Sequence, residues 1–231
     1  TLDVEVPPRR VDQLPAAVAW DLPVEVSLTG HLRGGEGAPA SGDVVATARW
    51  LAGDDGAPVP GACGPGSIPS LRAALSLADD VAALELVGRL DDDEVLRAWT
   101  EHPAPLARWA RTGPPARPRP TTVDAQIDGL ALGRIPFACA RLSGTVDGRL
   151  RAAGLGSPSP SVAADLIARD LVADDAPPAE LTVEARADAR RAEATVLLAQ
   201  GGERPFELTA RAPLEVGADG LSVALGDGEL T

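Results

Sequence analysis

The residues whose types could do chemistry are few. The sequence holds two histidines, His31 and His102, and two cysteines, Cys63 and Cys139. His31 falls among the polar positions of an alternating segment, and His102 directly precedes Pro103. Neither stands beside a Ser or Cys in a nucleophile motif, and no Gly-x-Ser-x-Gly occurs, so both read as solvated imidazoles rather than general bases. Neither cysteine has a second Cys or a His at metal-ligand spacing, so no zinc site is expected. A disulfide between them and two small buried thiols both stand as readings, because sequence does not supply the geometry that a bridge requires. The acidic clusters Asp54-Asp55, Asp91 to Glu94 and Asp174-Asp175 lack the alternating oxygen ligands and closing Glu of a calcium loop, and read as turn and capping chemistry. Paired carboxylates for glycoside hydrolysis usually come with aromatic sugar platforms, and 3% aromatics leaves few of those. The Gly61 to Gly66 stretch contains no Lys and opens no helix, so a phosphate-cradling loop is not indicated. No catalytic residue, metal or cofactor is expected.

The elements that would position any site must come from 231 residues rich in Gly (24) and Pro (22), with no Met and no Tyr. All 21 basic residues are Arg. A chain without Met is expected to be an internal fragment or a processed product. The formal net charge of −13 argues against nucleic acid, whose phosphates call for clustered cations. No apolar run is long enough to span a bilayer as a helix.

The dominant signal is a period of two. Leu22, Val24, Val26, Leu28, Gly30 and Leu32 alternate with Pro23, Glu25, Ser27, Thr29, His31 and Arg33. The same alternation runs through Val44–Trp50, Leu71–Leu77, Leu84–Leu90, Leu142–Leu150, Val162–Ala168, Leu181–Ala187, Ala192–Leu198, Phe206–Ala212 and Leu221–Leu225. Side chains on a strand point to opposite faces in turn, so each segment has one apolar and one charged face, whereas a helix with this pattern would scatter its charges all round. Turn signals such as Gly34-Gly35, Gly53 to Gly56, Asp174-Asp175, Gly201-Gly202 and Ala218 to Gly220 separate the segments. Short connections favour hairpins, and successive hairpins an antiparallel meander with one wet face.

The apolar face is Leu and Val diluted by Ala and Gly. A sandwich would fill the ~10 Å between sheets with large side chains. Small residues leave room, and Gly30, Gly88, Gly144 and Gly148 on that face permit strong coiling. An open groove and a sheet covered by another sheet both remain at this point. The segment 91–113 breaks the alternation. Asp91 to Asp93 offer an N-cap, Val95, Leu96 and Trp99 one apolar stripe, and Leu106, Trp109 and Ala110 a further turn or two. A short helical insert is therefore expected, plugging the end of the apolar face, with Pro114 to Pro120 as an extended linker. Its acidic start weighs against a membrane-surface role.

On these segments the chain resembles the repeat region of the TamB (translocation and assembly module) and AsmA-like family. Leu142-x-Gly144-x-Val146-x-Gly148-x-Leu150, followed by a Gly/Pro segment and further strands to 175, is similar to that repeat unit, and so is 181–217 with Pro213, Leu214 and Val216 near its end. Val26 to Gly34 is a shorter echo, and 101–110 resembles the short helix that many members place between strand blocks. The resemblance implies a periplasmic protein of a diderm bacterium, held in the inner membrane by an N-terminal helix not seen in this sequence. It implies a long curved sheet forming an apolar trough, a link to phospholipid movement towards the outer membrane, and an Omp85-type barrel as partner. The segment that contacts such a barrel is not recognisable here.

The expected fold is all-β: an elongated antiparallel meander coiled into an open trough, with strand repeats over 1–90 and 121–231 and the helical insert and linker over 91–120. The expected function is a non-enzymatic conduit for phospholipid acyl chains between inner and outer membrane, supporting outer-membrane assembly. The residues expected to line the groove are Leu22, Val24, Val26, Leu28, Leu32, Leu75, Leu77, Leu84, Leu86, Leu142, Val146, Leu150, Val162, Leu166, Leu181, Val183, Val196, Leu198, Phe206 and Leu208. The competing reading is a structural β-repeat stalk or adhesin with a filled interior. Edge strands at Leu2–Val6 and Leu221–Leu225 would be continued by further strands in a longer parent, and are expected to make the isolated chain self-associate.

Overall fold

The computed structural model describes residues 1–10, 24–35, 38–51, 69–105, 108, 112–113, 120–135, 141–155, 157–174, 176–216, 223–225 and 229–230. Leu22, Cys63 and Cys139 lie outside the described residues, as do the turn signals at 53–56 and 218–220. The described chain is almost wholly strand: β1 (Leu2–Arg10), β2 (Val24–Gly35), β3 (Ala38–Trp50), β4 (Pro69–Ala78), β5 (Val81–Leu90), β6 (Asp93–Pro103), β7 (Thr121–Ala131), β8 (Leu142–Leu155), β9 (Ser161–Ala173), β10 (Ala179–Ala187), β11 (Arg191–Gln200), β12 (Glu203–Val216), β13 (Val223–Leu225) and β14 (Glu229–Leu230). A 3-10 turn, Leu132–Arg134, follows β7. The strands pair in chain order from β1 to β13, and β14 pairs with β12, so the topology is an antiparallel meander. Each alternating segment read from the sequence that falls on described residues lies on one of these strands.

Two compact units divide the chain. The first comprises 1–97, 103–114 and 133–140, and the second 98–102, 115–132 and 141–231. In the first, register aligns the apolar positions of five strands into cross-strand rows. Val4, Gly30, Val44, Leu75 and Leu84 face one another in succession, as do Val6, Leu28, Ala46, Ala73 and Leu86. In the second unit, Ile127, Gly148, Leu166, Val183, Val196 and Leu208 form one row, and Leu130, Val146, Ala168, Leu181, Leu198 and Phe206 the next. Direct cross-strand neighbours on one face are the contacts that stabilise a sheet, so each row acts as a packed line running across the strands.

Hairpin turns hold this register. Asp79 and Asp80 join β4 to β5 with φ of 49° and 63°, and Gly201 and Gly202 join β11 to β12 with φ of 61° and 85°. Positive φ at both central residues marks the type I′ turn, whose twist matches that of paired strands. Gly42 shows why one strand glycine is obligatory. At φ 144°, a Cβ there would lie 2.0 Å from the carbonyl oxygen of His31.

The expected helix is corrected over its first half. Asp93–Pro103 is strand β6, with Leu96, Ala98, Thr100 and His102 half-buried and Arg97, Trp99 and Glu101 exposed. The stripe of Val95, Leu96 and Trp99 is compatible with helical spacing, but as a strand the segment puts Leu96, Ala98, Thr100 and His102 on one face, and a neighbouring strand supplies backbone hydrogen bonds that a helix would have to supply alone. Asp91 does not cap a helix. It takes φ 56° after β5, and Arg134 binds its carboxylate at 2.8 Å and that of Asp93 at 3.3 Å. Further on, Arg108 and Thr112 have helical geometry, with the Thr112 hydroxyl donating to the Arg108 carbonyl at 3.1 Å. Leu106, Trp109 and Ala110 lie outside the described residues, as does the linker 114–119.

Candidate functional site: two faces of a meander

The apolar rows are not packed dry. Among the described residues the buried apolar side chains are Val87, Leu90, Val95, Ala104, Val146, Ala152 and Ala168. Of the residues expected to line a groove, Val146 alone is in that set, at 8% exposure. Leu84 (42%), Leu150 (37%) and Phe206 (47%) are exposed, and the other described members of the set are half-buried. Large side chains concentrate in two rows of the second unit. The next row, Ala125, Leu150, Ala164, Ala185, Ala194 and Ala210, is nearly all Ala. The row from Ile127 to Leu208 crosses six strands, about 24 Å at ~4.8 Å per strand. It contains no polar side chain, so it offers a non-directional surface without hydrogen-bonding hooks.

The opposite face is charged, and in the second unit four of its acids are paired with arginines on neighbouring strands. Register places Asp124, Arg151, Ala163, Arg186, Glu193 and Arg211 in one row. Arg151 donates to Asp124 at 2.7 Å, Arg169 to Asp147 at 2.5 Å, Arg186 to Asp165 at 2.9 Å and Arg211 to Glu193 at 2.8 Å. Asp124 is the one buried charged side chain among the described residues. The two hydrogen bonds from Arg186 to Asp165 raise the Arg186 pKa, and those from Arg134 to Asp91 and Asp93 raise that of Arg134. At the turn before β11, the backbone N–H groups of Arg190 and Arg191 donate to Asp188 at 2.8 and 3.0 Å and hold its carboxyl below the usual range.

Both histidines sit in local hydrogen bonds. His31 lies opposite Asp3 in register, its Nδ1 against the Asp3 carboxylate, while its Nε2 accepts from Arg33 Nε at 2.7 Å. His102 Nδ1 pairs with the Thr121 hydroxyl at 2.6 Å. Neither ring lies against a Ser or Cys nucleophile in these bonds. Among the described residues no three His, Cys, Asp or Glu side chains converge on a metal-sized point.

One feature escaped the sequence reading. On the charged face of the first unit, Glu25, Arg49, Ser70 and Arg89 form a row and Thr47, Arg72 and Val87 the next, at a cleft of about 410 Å³. The alternation placed these residues on the polar face, but only register brings three arginines from β3, β4 and β5 together.

The chain matches no family model, no curated protein and no solved structure. The likeness to the TamB and AsmA-like family therefore rests on the strand and glycine pattern of the sequence.

Proposed function

We propose that this chain is a non-enzymatic segment of a TamB/AsmA-like bridge that carries phospholipid acyl chains on its apolar face, with headgroups left in water. The observation that carries the reading is the pair of continuous apolar rows in the second unit, most of whose side chains are half-buried rather than buried. Burying an acyl chain there is worth roughly 0.8 kcal/mol per CH₂. Rows of Leu, Val, Ile and Phe without polar members hold no headgroup in place, which suits sliding better than capture. A stalk with a filled interior would bury these side chains instead. On the family likeness, the proposed setting is the periplasm, with anchorage in the inner membrane through an N-terminal helix and an Omp85-type barrel as partner of the parent chain.

The test is a phospholipid with a photoreactive group on its acyl chain, presented to the purified chain. Crosslinks are expected on the row containing Leu198 and Phe206, and Val183→Asp should reduce them about tenfold by placing a charge in the acyl path. Absence of crosslinks, or crosslinks confined to the charged face, would overturn the conduit.

A further inference from the structure

The charged face of the first unit holds a site that the conduit does not use. We propose that the cleft around Ser70 binds a phosphate group. Arg49 and Arg89 flank Ser70 in a single cross-strand row, and Arg72 lies two residues along β4 on the same face. Arg49 and Arg89 are two strands apart, about 10 Å between backbones. Their flexible side chains can therefore converge above the Ser70 hydroxyl. All four residues line the 410 Å³ cleft, which is the size of a small-molecule pocket.

The pairing pattern singles this cluster out. Arg49, Arg72, Arg89 and the Ser70 hydroxyl make no side-chain hydrogen bond or ion pair among the described residues. The acids that line the cleft do not neutralise them. Arg97 engages Glu94 at 2.9 Å and Glu85 at 3.5 Å, which leaves Glu25, beside Arg49 in register, as the one acid lining the cleft without such a bond. Three neighbouring guanidiniums with Glu25 as the one uncommitted acid among them carry an excess of positive charge, and they do so in a chain whose net charge is −13. A tetrahedral phosphate presents enough oxygens for several N–H forks and the hydroxyl, whereas one carboxylate is satisfied by a single fork. The overall negative charge disfavours a long polyanion, so a single phosphate group is the fitting ligand. It comes from a soluble phosphate ester or from a phospholipid headgroup.

The experiment titrates the full 231-residue chain with glycerol phosphate by calorimetry, and in parallel with vesicles of phosphatidylcholine with and without phosphatidic acid by co-sedimentation. Arg72→Gln and Arg89→Gln are the site variants, with thermal melting as the folding check. Arg211→Gln, on the charged face of the second unit, is the control. Saturable binding of either probe that each site variant weakens about tenfold, that salt weakens further, and that Arg211→Gln leaves unchanged, supports the site. Binding of glycerol phosphate assigns a soluble ester, and binding to phosphatidic acid vesicles alone assigns a headgroup. No saturable binding of either probe, or binding that both folded site variants retain, overturns it. Because the probes contact the charged face, this outcome is independent of acyl-chain crosslinking on the other.

Discussion

The two units are built from the same hairpin meander, yet they treat their charges differently. In the second unit each of Asp124, Asp147, Asp165 and Glu193 has its arginine within 3 Å, on an adjacent strand. In the first unit Arg97 takes two glutamates while Arg49, Arg72 and Arg89 stand beside one another without partners. Cross-strand placement of opposite charges needs only that neighbouring strands carry them at the same height. The second unit meets that condition repeatedly. The first also sets Glu25 opposite Arg49 at the cleft, yet Arg49, Arg72 and Arg89 make no ion pair among the described residues.

The apolar faces invite the same comparison at a finer scale. Val146 is buried within its row, whereas Val183, two strands away in the adjoining row, is half-buried. The largest expected effect comes from charging these two positions. Val146→Asp should cost about 3–5 kcal/mol, because a carboxylate would be buried there without a cation. Val183→Asp should cost only about 1–2 kcal/mol, since its side chain can reach water. Urea denaturation of both variants checks this, and equal losses would mean that the rows are closed over in solution.

Removing one arginine from each unit sharpens the charge comparison. Arg151→Ala leaves the buried Asp124 carboxylate without its 2.7 Å partner and should cost about 2 kcal/mol, discounted for the exposure of the arginine itself. Arg72→Ala removes a cation with no partner and should stay within about 0.5 kcal/mol of the parent. A loss at Arg72 as large as that at Arg151 would contradict the unpaired state of the cleft arginines.

The smallest effect concerns the turns. Gly201-Gly202 meets the positive φ of a type I′ turn without side-chain strain, while Asp79-Asp80 holds two non-glycine residues there. The double change Asp79→Asn with Asp80→Gly should raise stability by about 0.5–1 kcal/mol, since Asn-Gly fits both central positions and separates two like charges. A rise in melting temperature with no change in urea slope is the expected reading.

Much of this architecture was legible beforehand. The period of two in Leu142–Leu150 or Leu181–Ala187 reports which face each side chain takes, because alternation is a property of the extended chain itself. Val123, Ala125 and Ile127 alternate with Asp124, Gln126 and Asp128 in the same way, so β7 too is legible at the level of single residues. The misread segment was 91–103. There an acidic start and three apolar residues at helical spacing matched a capped helix, while a run of Leu96, Ala98, Thr100 and His102 too mixed in polarity to announce a face belonged to a strand. Local patterns compete on such a segment, and the partner strand decides.

What the sequence determined by itself is the face of each residue and the order of the hairpins, since both follow from local backbone geometry and turn chemistry. Tertiary structure alone decided which residues share a row. The height of Arg49 against Ser70 and Arg89, or of Val146 against Ala168, depends on register across turns and bulges, such as the shift between Ile127 and Leu130. A slip of one residue would move every side chain to the other face, and a slip of two would keep the faces but dissolve the arginine cluster. Faces are set within a strand and neighbours between strands, which is why the two-faced meander could be anticipated from the sequence and the arginine row could not.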